Sequence, residues 1–240
     1  MNEEKSIMRA EPTAVARITD LEGFEQFDRG DLVMPRLRLV QATSRDIPDK
    51  NKRLGQWWNA VNEEAYPTLY AVILRYSRTR AYFDGNTFDK SALLCRSSDG
   101  RVPDPAFAGK FADLCEHCPN AQWGSNGEPP ACKLGYTFLA INAATDMPFI
   151  MTWSGTAVKR AKQLITAMLA KRRPAYAILV HLSSRYVEDQ RGSWYIPAFS
   201  LELLDNENAE HYRQAYLAYA NVELEADEDV LVTDTEEVPF

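Results

Sequence analysis

The chain has 240 residues, 45% of them hydrophobic and 25% charged, with a formal net charge of −7. That length allows one domain with additions or two small domains. The opening MNEEKSIMRAEP carries no apolar signal segment, and the longest apolar run, 69–74, is too short for a bilayer. A soluble cytoplasmic protein, neither secreted nor membrane-spanning, is therefore expected.

The charge is unevenly spread. Residues 221–240 hold eight acids and no Lys or Arg, so the rest of the chain carries all 27 bases against 26 acids. Residues 33–80 hold nine bases against four acids, and residues 154–186 hold seven bases and no acid. Two basic segments and one acidic tail point to a polyanionic partner that the net charge conceals.

In chain order, residues 1–30 read as a polar arm. LVMPRLRLVQ over 32–41 alternates Leu37 and Leu39 with Arg36 and Arg38, a half-buried strand with a basic face, and Pro35 places it at an edge or bulge. Residues 43–66 read as a long polar connection that holds the pair Trp57-Trp58. A long strand over 68–83 puts Tyr76, Arg78, Arg80 and Tyr82 on one face by period two. Residues 84–133 are rich in Gly, Pro, Asp and Asn and read as an insertion. A hairpin follows over 134–143 and 148–153. Ser154 is expected to cap a helix over 156–171, with Val158, Ala161, Leu164, Ile165, Met168 and Leu169 on its apolar face. Strands over 176–187 and 194–203 and a helix over 206–220, packed through Tyr212, Tyr216, Leu217 and Tyr219, complete the body.

With the 134–153 hairpin counted as one unit, the order is strand, strand, strand, helix, strand, strand. That is the order of an OB-fold, a five-stranded Greek-key barrel that binds oligonucleotides. The expected class is thus mainly β. It comprises an OB-like barrel over 31–205 with a zinc-binding insertion at 84–133, a C-terminal helix over 206–220 and a disordered tail over 221–240. A different small β-barrel or an α+β domain is the alternative.

All four cysteines, Cys95, Cys115, Cys118 and Cys132, fall in the insertion as C-x19-C-x2-C-x13-C. In a reducing compartment this spacing reads as a closed four-thiolate zinc site of structural type. His117 replacing one thiol is a weaker variant. The insertion has few apolar residues, and zinc binding supplies about 10–16 kcal/mol in small zinc peptides. With three histidines and no His-x-Glu, P-loop, dinucleotide fingerprint or nucleophile elbow, no catalytic centre is expected.

Aromatic and basic residues recur side by side, the pattern by which proteins hold single strands through stacking and phosphate contacts. The candidate strand-binding residues are Arg36, Arg38, Arg53, Trp57, Trp58, Tyr76, Arg78, Arg80, Tyr82, Tyr136, Phe138, Arg185, Tyr186 and Trp194. Tyr136 and Phe138 are expected to point outward, opposite Leu139 and Ile141. Trp57 and Trp58 cannot share a face of an extended segment, so one of them is expected to be available. The groove is expected to run over the strands at 32–41, 68–83 and 134–143 and the loops at 43–66 and 188–194.

The chain closes on Glu236, Glu237, Val238, Pro239 and Phe240. Such a tip makes a portable ligand, the Phe filling an apolar pocket and the carboxylates meeting a basic rim. The tail resembles those of bacterial and phage single-stranded-DNA-binding proteins (SSBs), whose acidic tips end in Pro-Phe or Phe. The usual tip reads Asp-Asp-Asp-Ile-Pro-Phe; here it reads Thr-Glu-Glu-Val-Pro-Phe. The body lacks the short size and Gly/Gln-rich linker of the common bacterial SSB. A zinc-bearing insertion in an OB-type barrel is closer in plan to phage SSBs, some of which carry structural zinc. The resemblance implies a non-enzymatic, sequence-nonspecific ssDNA-binding protein of phage type, acting in the host cytoplasm during replication and recombination. Its tip would recruit partner proteins and compete with DNA for the groove. Two rival readings are a nuclease-type enzyme using Glu63, Glu64, Asp84 and Asp89, and a protein-only adaptor. RNA would satisfy the same stacking platforms.

Overall fold

The computed structural model describes residue 22 and residues 33–44, 47–84, 93–190, 192–222 and 224. The expected arm over 1–30, residue 22 apart, and the tip at 236–240 lie outside the described residues.

The elements are β1 (Arg36–Leu39), β2 (Trp57–Asn59), β3 (Glu64–Tyr66), β4 (Leu69–Phe83), β5 (Leu93–Ser97), β6 (Lys133–Asn142), β7 (Pro148–Ser154), α1 (Val158–Ala170), β8 (Ile178–Asp189), β9 (Gly192–Leu203) and α2 (Asn206–Ala218). Among the described residues the strands form one sheet in the order β3-β2-β1-β7-β6-β4-β8-β9, with β5 beside β4. Only the β1–β7 pair is parallel among these ladders.

This corrects the expected five strands. The 134–153 segment is two strands with separate roles. β6 and β7 pair with each other from Gly135–Ser154 to Ile141–Pro148, and β6 then pairs with β4 while β7 pairs with β1. The stretch read as a polar connection contains β2 and β3, three residues each, too short for alternation to show.

β4 organises the sheet. One of its edges meets β6 from Ala71 to Ala81. Its other edge takes β8 at residues 69–72 and β5 at residues 80–83. The result is a curled, open sheet with a core on each side. One core joins Ile73, Phe138, Trp153 and Ile178 to Ala161 and Leu164 of α1. The other joins Val72, Leu74, Leu139 and Ile141 to Tyr212 of α2. β6, β7 and residues 71–74 of β4 are therefore covered on both faces. Each large side chain fully removed from water there contributes about 1.5–3 kcal/mol.

α1 ends near Arg172, at φ 52°, and Pro174. Two details of its expected form are corrected. Ser154 makes no side-chain cap bond, because it ends β7 and a 3-10 turn at 155–157 intervenes. Leu169 is 71% exposed, since α1 lays Val158, Ala161, Leu164, Ile165 and Met168 on the sheet and turns Leu169 away. α2 starts where Asp205 accepts the amide of Asn208 at 2.9 Å. Its Leu217 is exposed rather than packed. Ordered packing also runs past 221, because Leu224 is buried in the second core.

Candidate nucleic-acid interface

The curl brings β9 to the end of β1, where side chains rather than a strand ladder make the join. Gln41 Nε2 donates to the Tyr195 carbonyl at 2.7 Å, and the Tyr195 amide donates to Gln41 Oε1 at 2.9 Å. Nearby, the Ser184 hydroxyl donates to the Gly55 carbonyl. Gly55, at φ 74°, lies so close to the Tyr195 ring that a Cβ there would meet it at 2.5 Å. The β1–β2 loop and the β8–β9 hairpin are thus held together.

Aromatic and basic groups collect at this join. Tyr186 is 51% exposed and meets Tyr195 edge-to-face at 5.5 Å. Arg185 is exposed next to it, and the indole nitrogen of half-buried Trp194 is buried without a partner. The Arg53 guanidinium lies 4.4 Å over the Trp58 ring. Sequence reasoning missed Gln41 and Tyr195; no short motif marks a contact across 154 residues.

A second group lies on β4. Tyr76 is half-exposed and Arg78 exposed, while Arg80 and Tyr82 are half-covered by the insertion. Gly100 packs on Arg78, Ser77 donates to the Ser98 carbonyl at 2.7 Å, and the Tyr82 ring meets Phe111 at 5.4 Å. The antiparallel β4–β8 register, Leu69 opposite Leu182, sends Tyr76 and Tyr186 toward opposite ends of the curled sheet. The candidates form two clusters rather than one continuous row.

Several candidates are corrected by burial. Tyr136 and Phe138 are 7% and 0% exposed, because α1 covers the face of β6 that was expected to be open. Trp57 and Trp58 do face opposite ways, yet both are buried. Trp57 packs near Trp153, and Trp58 lies beneath Arg53. Arg36 and Arg38 on β1 are half-buried, and Arg38 stands across from Trp58 on the other face from Leu37.

The insertion gathers its four thiols. Cys95, Cys115, Cys118 and Cys132 line one pocket with Arg80, Tyr82 and Phe111, and none is in a disulfide. The Cys118 amide donates to the Cys115 carbonyl at 3.3 Å, and the Cys132 amide to the Asn120 carbonyl at 2.7 Å. Burial pushes the Cys132 thiol up to about 11, against the pull of the Arg80 guanidinium bonded to it. Burial and then the neighbouring charges of Cys115 and Cys118 raise Cys95. The exposed His117 is not in the pocket lining. Among the described residues, no three His, Cys, Asp or Glu side chains are closed around a point as metal ligands would be. The donor set suits a thiophilic ion, and Asp104 holds the loop by accepting from the Ser98 amide at 2.8 Å and from Arg96 Nε at 2.7 Å.

The carboxylates of the nuclease reading are scattered. Glu63 and Glu64 flank the β2–β3 turn, where Glu64 accepts from Asn62 and Tyr66. Asp84 follows the end of β4, and Asp89 lies outside the described residues. Among the described residues no helix is long and apolar enough to cross a membrane.

No curated protein and no solved structure matches the chain. A family model described as "Pam3 phage gp34-like protein" matches residues 2–226. That span takes in the curled sheet, the cysteine-bearing insertion and both helices, and the chain belongs to this phage protein family.

Proposed function

We propose that the protein binds single-stranded DNA without sequence preference and protects it during replication or recombination, with the acidic tip recruiting partner proteins. The observation that carries this reading is the surface where the β1–β2 loop meets the β8–β9 hairpin. There Tyr186 is half-exposed against Tyr195, with Arg185 beside it and Arg53 nearby on Trp58. The core is filled without Tyr186, so its exposed ring is free to stack on a base at about 1–3 kcal/mol. Tyr76 and Arg78 offer a second contact further along the sheet.

The strand pairing supports an OB-type barrel. β4 pairs with β6, β6 with β7, β4 with β8 and β8 with β9, and α1 falls between β7 and β8. On this reading those five strands are the barrel, and β1, paired with β7 and β2, brings Gln41 just past its end to β9. Cys95, Cys115, Cys118 and Cys132 hold a structural zinc that orders the insertion, with Arg80 offsetting the thiolate charge. The ion supplies cross-linking and no reaction.

The test is a titration of a labelled oligo-dT strand and a matching duplex, with and without Mg2+. The expected result is salt-sensitive binding of the single strand, with the strand left intact. Cleavage that requires Mg2+ would favour the nuclease reading. Partner capture by the tip without strand binding would favour the adaptor.

A further inference from the structure

α1 runs beside β9, and contacts at both of its ends place it. At its start Arg160 Nε donates to the Pro197 carbonyl at 2.8 Å, and the Arg160 guanidinium lies 4.8 Å over the Phe199 ring. Past its end Arg173 Nη2 donates to Asn206 Oδ1 at 3.3 Å, where α2 begins. Alternation along β8 and β9 puts Val180, Leu182, Phe199 and Leu201 on the face that α1 covers. Tyr186 and Tyr195 follow on that same face, nearer the hairpin tip. The exposed Tyr186 ring and the first turn of α1 therefore share one side of the sheet.

The charged groups on the solvent side of this helix are all bases. Lys159 and Lys162 are exposed on it, Lys171 and Arg172 are exposed at its end, and residues 154–186 contain no Asp or Glu. Among the described residues none of these four side chains makes an ion pair. The acids of the neighbouring strands are turned elsewhere. Glu202 stands across from Leu179, on the face of the second core, and Glu188 accepts the Tyr186 hydroxyl at 3.1 Å toward the hairpin tip. Lys171 and Arg172 suit the negative end of the helix dipole, whereas Lys159 does not suit the positive end. The first turn of α1 holds no acid, and Lys159 and Lys162, three residues apart, repel each other. A polyanion lying along the helix turns that cost into attraction.

We propose that the solvent side of α1 is a phosphate ridge, with Lys159, Lys162, Lys171 and Arg172 tracking the backbone of a single strand that stacks on Tyr186. The helix rises about 18 Å from Lys159 to Lys171, room for several successive phosphates. The choice of a nucleic-acid strand rests on the DNA-binding reading. The shared face with Tyr186 favours it over the chain's own acidic tail, which departs from Leu224 in the second core, on the other side of the sheet.

The full-length protein is titrated with labelled oligo-dT across a salt series, beside a variant that carries Lys159→Gln, Lys162→Gln, Lys171→Gln and Arg172→Gln together. All four sites are exposed, and a melting curve checks the fold. The ridge predicts that this variant loses at least tenfold in affinity at low salt and roughly 1.4–2.8 from the log–log salt slope, two to four phosphates' worth. Exchanging Lys for Arg and Arg for Lys at the four sites should keep the slope. Lys159→Glu with Lys162→Glu should raise the melting temperature while weakening strand binding, a divergence that a merely structural role would not give. A wild-type slope in the neutralised variant, with binding still weakened by Tyr186→Ala, overturns the ridge and keeps the DNA reading. A wild type that binds no oligo-dT at low salt overturns the DNA reading and the ridge with it. A neutralised variant that binds more tightly than wild type gives the ridge to the acidic tail and overturns the strand as its occupant.

Discussion

The side-chain amide of Gln41 pairs with Tyr195 as a strand neighbour would, giving a hydrogen to its carbonyl at 2.7 Å and taking one from its amide at 2.9 Å. An amide side chain carries the same donor and acceptor as a peptide unit, so one residue closes a seam that no strand ladder closes. Arg160 bonds the Pro197 carbonyl two residues along β9. Pro197 has no amide hydrogen to offer at that edge, which suits a strand that is not continued.

Gln41→Ala is expected to destabilise the fold by about 1–3 kcal/mol, two hydrogen bonds' worth at a half-buried site. Urea denaturation measures the loss. The same variant is expected to weaken ssDNA binding, because the loop that carries Arg53 is no longer held to the hairpin that carries Tyr186. Stability and binding both equal to wild type would mean that the seam is closed by other contacts.

Arg75 sits in a basic segment yet is turned to structural work. Its Nη1 donates to the carbonyls of Tyr219 and Val222 at 3.2 Å each, and to that of Ala220. A cation at a helix C-terminus meets the unpaired carbonyls and the negative end of the helix dipole. Arg75→Gln is expected to loosen the segment over 219–224 and speed its amide hydrogen exchange at least tenfold, at a cost of about 1–2 kcal/mol in overall stability. Exchange rates unchanged over that segment would contradict this anchoring.

Tyr212 supplies a pH dependence. Burial, and then the charge of Asp146, push its phenol from 10.0 up to about 12. The folded state therefore holds the proton more tightly than the unfolded chain does. The contribution is complete below pH 10 and is lost as the pH rises from about 10 to about 12, a total of roughly 2–3 kcal/mol. In chemical denaturation at pH 9 and 11, Tyr212→Phe should fall in stability less steeply than the wild type. Equal slopes would assign the alkaline loss to other groups.

How much of this could be read from the sequence depends on element length and on what covers each face. The long strands and both helices are legible, because β4, β6, β8 and β9 each run ten or more residues with turn residues between them. β2 and β3 are not, at three residues each. Period two separates Tyr136 and Phe138 from Leu139 and Ile141 correctly but does not tell which face is open. In β6 neither is, since α1 and α2 lie on opposite sides of the sheet. That the four cysteines line one pocket fits their shared place in one insertion, whereas the Gln41–Tyr195 seam depends on how distant segments meet.

Zinc gives its own prediction. The purified protein should contain about one zinc, and Cys115→Ser or Cys132→Ser should lose it and lower the melting temperature, since a closed thiolate site contributes folding free energy directly. Strong chelation should expose the 95–132 segment to protease while the rest of the sheet persists. A metal-free wild type that melts with full cooperativity would end the zinc proposal.

The central claim is single-strand binding, and tryptophan fluorescence tests it most directly. Trp57, Trp58 and Trp153 are buried, which leaves Trp194 at the hairpin and the 64% exposed Trp123 of the insertion as reporters. Oligo-dT is expected to quench the emission at low salt where a matching duplex does not. The affinity should fall with a slope of about −0.7 per phosphate neutralised, and Tyr186→Ala should weaken it by one stack, about 1–3 kcal/mol. No quenching together with no mobility shift at low salt would contradict the account.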